Sequence, residues 1–72
     1  MYGVIEAINE TRKALYGTNV EDIEIGNLTD MMVFESKRAG IVIDFLHDCE
    51  RIDYIQRDRL HEILENCDHS ED

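Results

Sequence analysis

The apolar residues of the chain recur three or four positions apart, at helical spacing, with charged residues between them. The first segment carries its apolar residues roughly on one side of a helical wheel, at Val4, Ile5, Ile8 and Leu15. Gly17 then provides a residue that commonly ends helices, because glycine adopts positive φ without strain. This pattern predicts a first helix over residues 3–16.

Capping residues mark two further helix starts. Thr18 and Glu21 have the spacing of a capping box, in which hydroxyl and carboxylate satisfy free N–H groups of the first turn, so a helix should begin near Val20. Asp53 is a favourable N-cap for the last helix. A tight turn near Ile52 and Asp53 would then join two antiparallel helices.

Two stripes of apolar residues continue at helical spacing through the middle of the chain. One stripe contains Val20, Ile23, Met31, Phe34, Ile41 and Phe45, and the other contains Leu28, Met32, Ala39, Val42 and Leu46. Gly26 and Gly40 are the expected interruptions, because glycine weakens a helix interior. The pattern predicts helices over about 20–36 and 39–51.

A β-hairpin over residues 31–45 is the alternative for this middle part. β-Branched and aromatic residues flank a four-residue segment that ends in Gly40, which is typical of a hairpin. Short apolar runs do not distinguish helix from strand, but the second apolar stripe favours helix. Glu35 falls on the apolar side of a continuous helix, so it either pairs with an arginine of a second copy or marks a break.

The last segment has the clearest amphipathic pattern. One arc of the wheel contains Ile55, Leu60, Ile63, Leu64 and Cys67, and the opposite arc contains Asp58, Glu62 and Glu65. This predicts a helix over residues 54–67. Residues 1–72 are therefore expected to form a single all-α domain, a small bundle of three to four helices, with a disordered tail at 68–72.

The length of the chain makes a partner subunit expected. A domain of 72 residues buries only about 60% of the surface of its unfolded chain, so its stability is marginal. The middle helical region also has more apolar surface than two neighbouring helices can cover. We expect a homodimer whose interface contains Met31, Phe34, Ile41 and Phe45; docking of a partner helix is the alternative.

Charge restricts the class of partner. The chain has 17 acidic and 7 basic residues, for a net charge of −10. Such a charge repels phosphate backbones and anionic lipids, so direct binding of nucleic acid or membrane is not expected, whereas a basic protein is. The charge is uneven, because residues 1–20 are neutral, 21–40 carry −3 and 41–72 carry −7. The absence of long apolar runs and of a signal-like N-terminus predicts a cytoplasmic protein.

Two cysteine-histidine pairs could suggest zinc. His47 lies near Cys49, and Cys67 lies near His69. However, a turn near Ile52 would place the two cysteines on the order of 20 Å apart, at 1.5 Å per helical residue. That distance excludes a closed metal site and a disulfide within one chain. We therefore expect two buried thiols, with no metal and no cofactor.

The sequence contains little that indicates catalysis. It has no glycine-rich phosphate loop and no G-x-S-x-G motif. The segment HEILE, 61–65, has Glu65 where a zinc protease would have its second histidine. Carboxylates are so abundant that no particular acid and base pair stands out. A non-enzymatic protein is expected.

The acidic residues form rows on the predicted helices. Neighbouring acids one turn apart repel by about 0.2–0.5 kcal/mol per pair, and stability alone would favour alternating signs. The rows could serve only to keep a small protein soluble, or they could bind a basic partner. In the second interpretation the candidate partner-binding residues are Asp44, Asp48, Asp58, Glu62, Glu65 and Asp68.

In its size, its charge and the acidic segments DFLHD, RDRLHEILE and CDHSED, the chain resembles the small acidic, mostly helical DNA mimics that bacteriophages encode. The resemblance is best in the C-terminal half. It implies a protein that binds a basic DNA-binding protein of the host, such as a histone-like nucleoid protein, nuclease, restriction enzyme or polymerase. It also implies inhibition, because carboxylates take the places of DNA phosphates.

Overall fold

A computed structural model describes residues 2–67 as an all-α bundle. Its helices are α1 (Val4–Leu15), α2 (Asp22–Phe34), α3 (Ser36–Asp48) and α4 (Tyr54–Asn66). The prediction of an all-α fold is confirmed, and each helix end lies within three residues of its expected position. The predicted tail at 68–72 lies outside the described residues.

The helices form an antiparallel bundle in which each packs against two others. Helix α1 contacts α2 and α4, and α3 likewise contacts α2 and α4. The backbone N–H of Tyr2, just before α1, donates to the carbonyl oxygen of Asn66, the last residue of α4, at 2.7 Å. The start of α1 and the end of α4 therefore meet at one end of the bundle, and the loops between α1 and α2 and between α3 and α4 lie at the other.

The hairpin alternative at 31–45 is wrong, because this segment is helical on both sides of a single break. The break is Glu35, at φ −139° and ψ 65°. The N–H of Glu35 donates to the carbonyl of Met31, and its own carbonyl accepts from the N–H of Ala39, so this one residue both ends α2 and begins α3. The expected breaks at Gly26 and Gly40 are also wrong, since both lie inside helices.

The capping box predicted at the start of α2 is wrong. Helix α2 begins at Asp22, and its N-cap Glu21 makes no side-chain capping bond. The hydroxyl of Thr18 instead donates to the carbonyl of Leu15 at 2.7 Å, so it satisfies a free carbonyl at the end of α1. Gly17 ends α1 as predicted, with φ +80°.

The N-cap predicted for α4 is confirmed. The carboxylate of Asp53 accepts from the backbone N–H of Gln56 at 2.8 Å, and the Gln56 side chain accepts from the N–H of Asp53 at 2.9 Å. Two N–H groups of the first turn are thus satisfied reciprocally. This closed cap fixes where α4 starts.

The hydrophobic core is built mainly from the second of the two predicted stripes, although Val20 of the first is also buried. Its buried apolar members on α2 and α3 are Leu28, Met32, Val33, Ala39, Ile43 and Leu46, and the core also contains Ala7 and Leu15 of α1, Leu60 and Ile63 of α4, and Cys67 just after α4. Val4, Ile5 and Ile55 were expected on inward faces but are exposed. A helix in so small a bundle buries only a narrow stripe, so apolar residues beside that stripe stay in solvent.

One buried hydroxyl gives a stability prediction. Thr11 is fully buried and its Oγ1 has no hydrogen-bond partner within residues 2–67, whereas Thr29, which is also buried, donates to the carbonyl of Gly26 at 2.7 Å. An unpaired buried polar group costs about 1–3 kcal/mol. We expect Thr11→Val to raise the free energy of unfolding by about 1 kcal/mol, or the Tm by roughly 4–8 °C. Thr29→Val should bring no gain, and equal effects of the two substitutions in thermal melts would contradict this account.

Candidate acidic interface

The outer face of α4 consists of acidic residues. Asp58, Glu62 and Glu65 are exposed, while Leu60 and Ile63 are fully buried on the opposite side. The outward position predicted for the three acids is therefore confirmed. They lie one helical turn from each other, which separates neighbouring side chains by about 5–6 Å. We call these three residues the α4 acidic face.

Asp44 is a bridging residue between helices. Its Oδ1 lies 2.8 Å from Nε2 of His61 and 3.5 Å from Nε of Arg57, and both partners belong to α4. The hydrogen bond to His61, together with the nearby Arg57 and His47, lowers the pKa of Asp44 below its ordinary value. Asp44 thus joins α3 to α4, and Arg57 partly offsets its charge.

Arg59 is bound on the side of α4 that faces α1. It donates to Glu10 at 2.6 Å and to Glu62 at 3.0 Å. The pKa of Glu10 is lowered by its hydrogen bond to Lys13 first and then by Arg59. The guanidinium therefore balances a carboxylate of α1 and only one member of the α4 acidic face.

Arg51 is bound in the same way at the far end of the bundle. It donates to both oxygens of Glu24, at 2.6 and 2.9 Å, and to the carbonyl of Asn19 at 2.8 Å. The bidentate hydrogen bonds to Glu24 raise the pKa of Arg51. The three arginines of residues 41–67 are thus all engaged within the fold, since Arg57 pairs with Asp44 and also lies over the Tyr54 ring.

Asp48 lies apart from these bridges. It is exposed in the last turn of α3, and it makes no ion pair within residues 2–67, as is also true of Asp58 and Glu65. Asp68, the sixth predicted partner-binding residue, lies outside the described residues. Of the predicted partner-binding residues that the structure describes, Asp48, Asp58 and Glu65 are therefore available to a partner, and Glu62 is shared with Arg59.

A second surface is apolar. Phe34, Ile41 and Phe45 are 68%, 70% and 62% exposed, and we call them the apolar strip. Met31, the fourth residue predicted for a dimer interface, is partly buried and packs against the core. No other part of residues 2–67 packs over the apolar strip.

The two cysteines have different environments. Cys67 is buried, as predicted, whereas Cys49 is exposed at the end of α3, so the prediction of a buried thiol there is wrong. Within residues 2–67 no three His, Cys, Asp or Glu side chains are grouped closely enough to hold a metal ion. His69 lies outside those residues. No helix in the described part of the chain is both long enough and apolar enough to cross a membrane.

Comparison of the chain with protein-family models, with curated proteins and with solved structures found no match in any of the three. No relative therefore indicates an activity or a partner.

The Asp44 bridge gives a pH prediction. A carboxylate with a lowered folded-state pKa stabilises the fold above its unfolded pKa, and this contribution disappears as pH falls through the folded value. We expect the unfolding free energy of the wild type to fall below about pH 4, and that of Asp44→Asn to fall less. Urea titrations from pH 7 downward would measure this. Asp58→Asn, which removes an unpaired carboxylate, is the control, and an acid response of Asp44→Asn equal to that of this control would contradict the bridge.

Proposed function

We propose that this protein binds the DNA-binding surface of a basic host protein and inhibits it by presenting carboxylates where DNA presents phosphates. The target class would be a histone-like nucleoid protein, nuclease, restriction enzyme or polymerase. The observation that carries the proposal is the α4 acidic face: Arg57 pairs with α3, and Arg59 pairs with α1 and, on this face, with Glu62, so Asp58 and Glu65 make no ion pair within residues 2–67. No catalytic step is part of this proposal.

The arrangement of the charges supports this function. Asp58, Glu62 and Glu65 lie along one helix at intervals of about 5–6 Å, comparable with the spacing of neighbouring phosphates on a strand. A carboxylate also accepts hydrogen bonds from lysine and arginine much as a phosphate oxygen does. A rigid helix holds the three groups in place before binding, so little ordering is needed on association.

The overall charge supports a fast, salt-dependent association. A net charge of −10 attracts a basic surface over distances of about 10 Å at 0.1 M salt. Proteins read DNA sequence from the edges of the bases, and carboxylates imitate only the phosphates. The α4 acidic face therefore cannot imitate a particular DNA sequence. The inhibition should therefore be independent of DNA sequence and should weaken as salt rises.

The exposure of Phe34, Ile41 and Phe45 favours a second candidate function, a helical interaction module. Its partner would bind through apolar contact, which depends little on salt. Salt dependence thus distinguishes the two functions. The two surfaces are also compatible, because the strip lies on the outer side of α2 and α3 and the acidic face lies on α4.

Affinity capture from a bacterial lysate tests the proposal. The lysate should first be treated with nuclease, so that DNA cannot bridge proteins to the immobilised chain, and bound proteins should be eluted with a salt gradient. We expect basic DNA-binding proteins to elute at moderate salt. Recovery only of partners that resist salt would contradict mimicry and support the module.

A matched pair of variants separates a specific face from general charge. Asp58→Asn, Glu62→Gln and Glu65→Gln together remove three charges from the α4 acidic face. The control removes three charges elsewhere, through Glu6→Gln, Glu21→Gln and Asp30→Asn. The first variant should release its partner at lower salt than the control. Equal elution of the two would contradict the role proposed for α4.

A further inference from the structure

The charges beside the apolar strip are divided between the two ends of α3. Lys37 and Arg38 lie in its first turn, and Asp44 and Asp48 lie in its last two turns. Lys37 and Asp48 are exposed and make no ion pair within residues 2–67, and Arg38 has only an exposed contact of 3.5 Å with Glu35. Ile41 and Phe45 are between these ends, one turn apart on the exposed side. The surface is therefore apolar in its centre, basic at one end and acidic at the other.

We infer that this surface is the interface of a homodimer in which α3 packs against α3 of a second copy in antiparallel orientation. An interface with a two-fold axis must be complementary to itself. Antiparallel packing meets that condition here, because the basic end of each helix then faces the acidic end of the other. This inference goes beyond the proposed function, because the dimer would form whether or not the protein mimics DNA.

Helical spacing gives the register of the pair. With the two-fold axis at the level of residue 43, Ile41 of each copy lies opposite Phe45 of the other. In an antiparallel pair, residues at the same level have position numbers with a constant sum, which is 86 for Ile41 and Phe45. Arg38 and Asp48 give the same sum, and Lys37 and Asp48 give 85, which is an offset of one residue or about 1.5 Å along the axis. The same register therefore brings Lys37 and Arg38 of each copy to the level of Asp48 of the other. One arrangement thus covers the apolar centre and pairs the charges at both ends.

A second copy fits this surface better than a partner of a single charge sign. A uniformly basic partner would meet Lys37 and Arg38, and a uniformly acidic one would meet Asp44 and Asp48. Like charges brought together in this way weaken an interface. The strip is small, and the chain is acidic overall. The interface therefore belongs at the small end of the range, where the Kd of a dimer is roughly micromolar or higher.

The dimer has a consequence for the acidic face. The bond between Asp44 and His61 places α4 on the Asp44 side of α3. The two-fold axis of an antiparallel pair lies between the two α3 helices and is perpendicular to both. Rotation about it leaves the two α4 helices on the same side of the dimer. The two α4 acidic faces would then form one larger anionic surface. This consequence, unlike the dimer itself, rests on the proposed function.

Sedimentation equilibrium of the full chain tests the apolar part of the interface without any partner protein. The wild type should pass from monomer to dimer as its concentration rises, and Phe45→Ser should stay monomeric. The control is Ile5→Ser, at a position that is 73% exposed on α1, and it should dimerise as the wild type does. A wild type that is monomeric up to about 1 mM, well above micromolar, would overturn the inference, as would a Phe45→Ser dimer of wild-type affinity.

Charge reversal tests the orientation. One variant carries Lys37→Glu and Arg38→Glu, and the other carries Asp48→Lys, so each should place like charges at both ends of its own dimer and dissociate. An equimolar mixture restores opposite charges at both ends, and we expect heterodimers with at least a tenfold lower Kd than either variant alone. Variants that dimerise separately as well as the wild type, or a mixture that does not associate, would overturn the antiparallel pairing.

Discussion

Simultaneous neutralisation of Asp58, Glu62 and Glu65 should weaken the complex with a basic DNA-binding partner by roughly 100-fold at low salt. Exposed ion pairs contribute up to about 1 kcal/mol each, and about 3 kcal/mol corresponds to a factor near 100 in Kd. The loss should lie largely in the association rate, because exposed charges steer encounter. Titration calorimetry and stopped-flow association with the captured partner would measure both.

The same variant should fold as well as the wild type. The three residues are exposed, and the neutralisation removes two repulsive pairs of about 0.2–0.5 kcal/mol each, from Asp58 to Glu62 and from Glu62 to Glu65. It also removes the exposed pair of Glu62 with Arg59. A thermal melt followed by circular dichroism should thus show little change in Tm. A large fall in Tm would mean that weakened binding reports unfolding, and unchanged Kd in a folded variant would contradict the role of this face.

Leu60→Ala should cost about 2–5 kcal/mol of unfolding free energy. Leu60 is fully buried in the core at the middle of α4, and its truncation loses apolar burial and leaves a cavity. A domain of this length has a total stability of only about 4–11 kcal/mol at ordinary values per residue. The variant should therefore lose a large share of its stability and show a much lower urea midpoint.

Ile55→Ala is the control for this effect. It truncates a similar side chain on the same helix, but Ile55 is 77% exposed. We expect a change within about 0.5 kcal/mol, as for other surface substitutions. Urea titration of both variants would check the difference. Similar losses for Leu60→Ala and Ile55→Ala would mean that α4 is rotated relative to the bundle described above.

The helices could be predicted from the sequence because their causes are local. Amphipathic spacing, the positive-φ stop at Gly17 and the cap formed by Asp53 and Gln56 all involve residues within a few positions of one another. The outward direction of Asp58 and Glu65 follows from the same spacing. Thr18 was misread because its hydroxyl can satisfy either the helix before it or the helix after it, and tertiary structure decides between them.

The packing could not be predicted in the same way. Two apolar stripes run side by side along α2 and α3, and which of them is buried depends on where α1 and α4 lie. The bridge between Asp44 and His61 spans 17 positions, and the bond between Arg59 and Glu10 spans 49. No local pattern indicates such pairs, so Asp44 was grouped with the freely available acids. A break at Glu35 is one of the two roles that the sequence predicts for that residue.

The most direct measurement of the central claim is displacement of DNA from the captured basic protein. A short fluorescent duplex bound to that protein should be titrated with this chain, and its anisotropy followed at two DNA concentrations and with two unrelated sequences. We expect the anisotropy to fall to that of free DNA, more of the chain to be needed at higher DNA concentration, and both sequences to behave alike. Formation of a ternary complex, with the DNA still bound while the chain also binds, would contradict it.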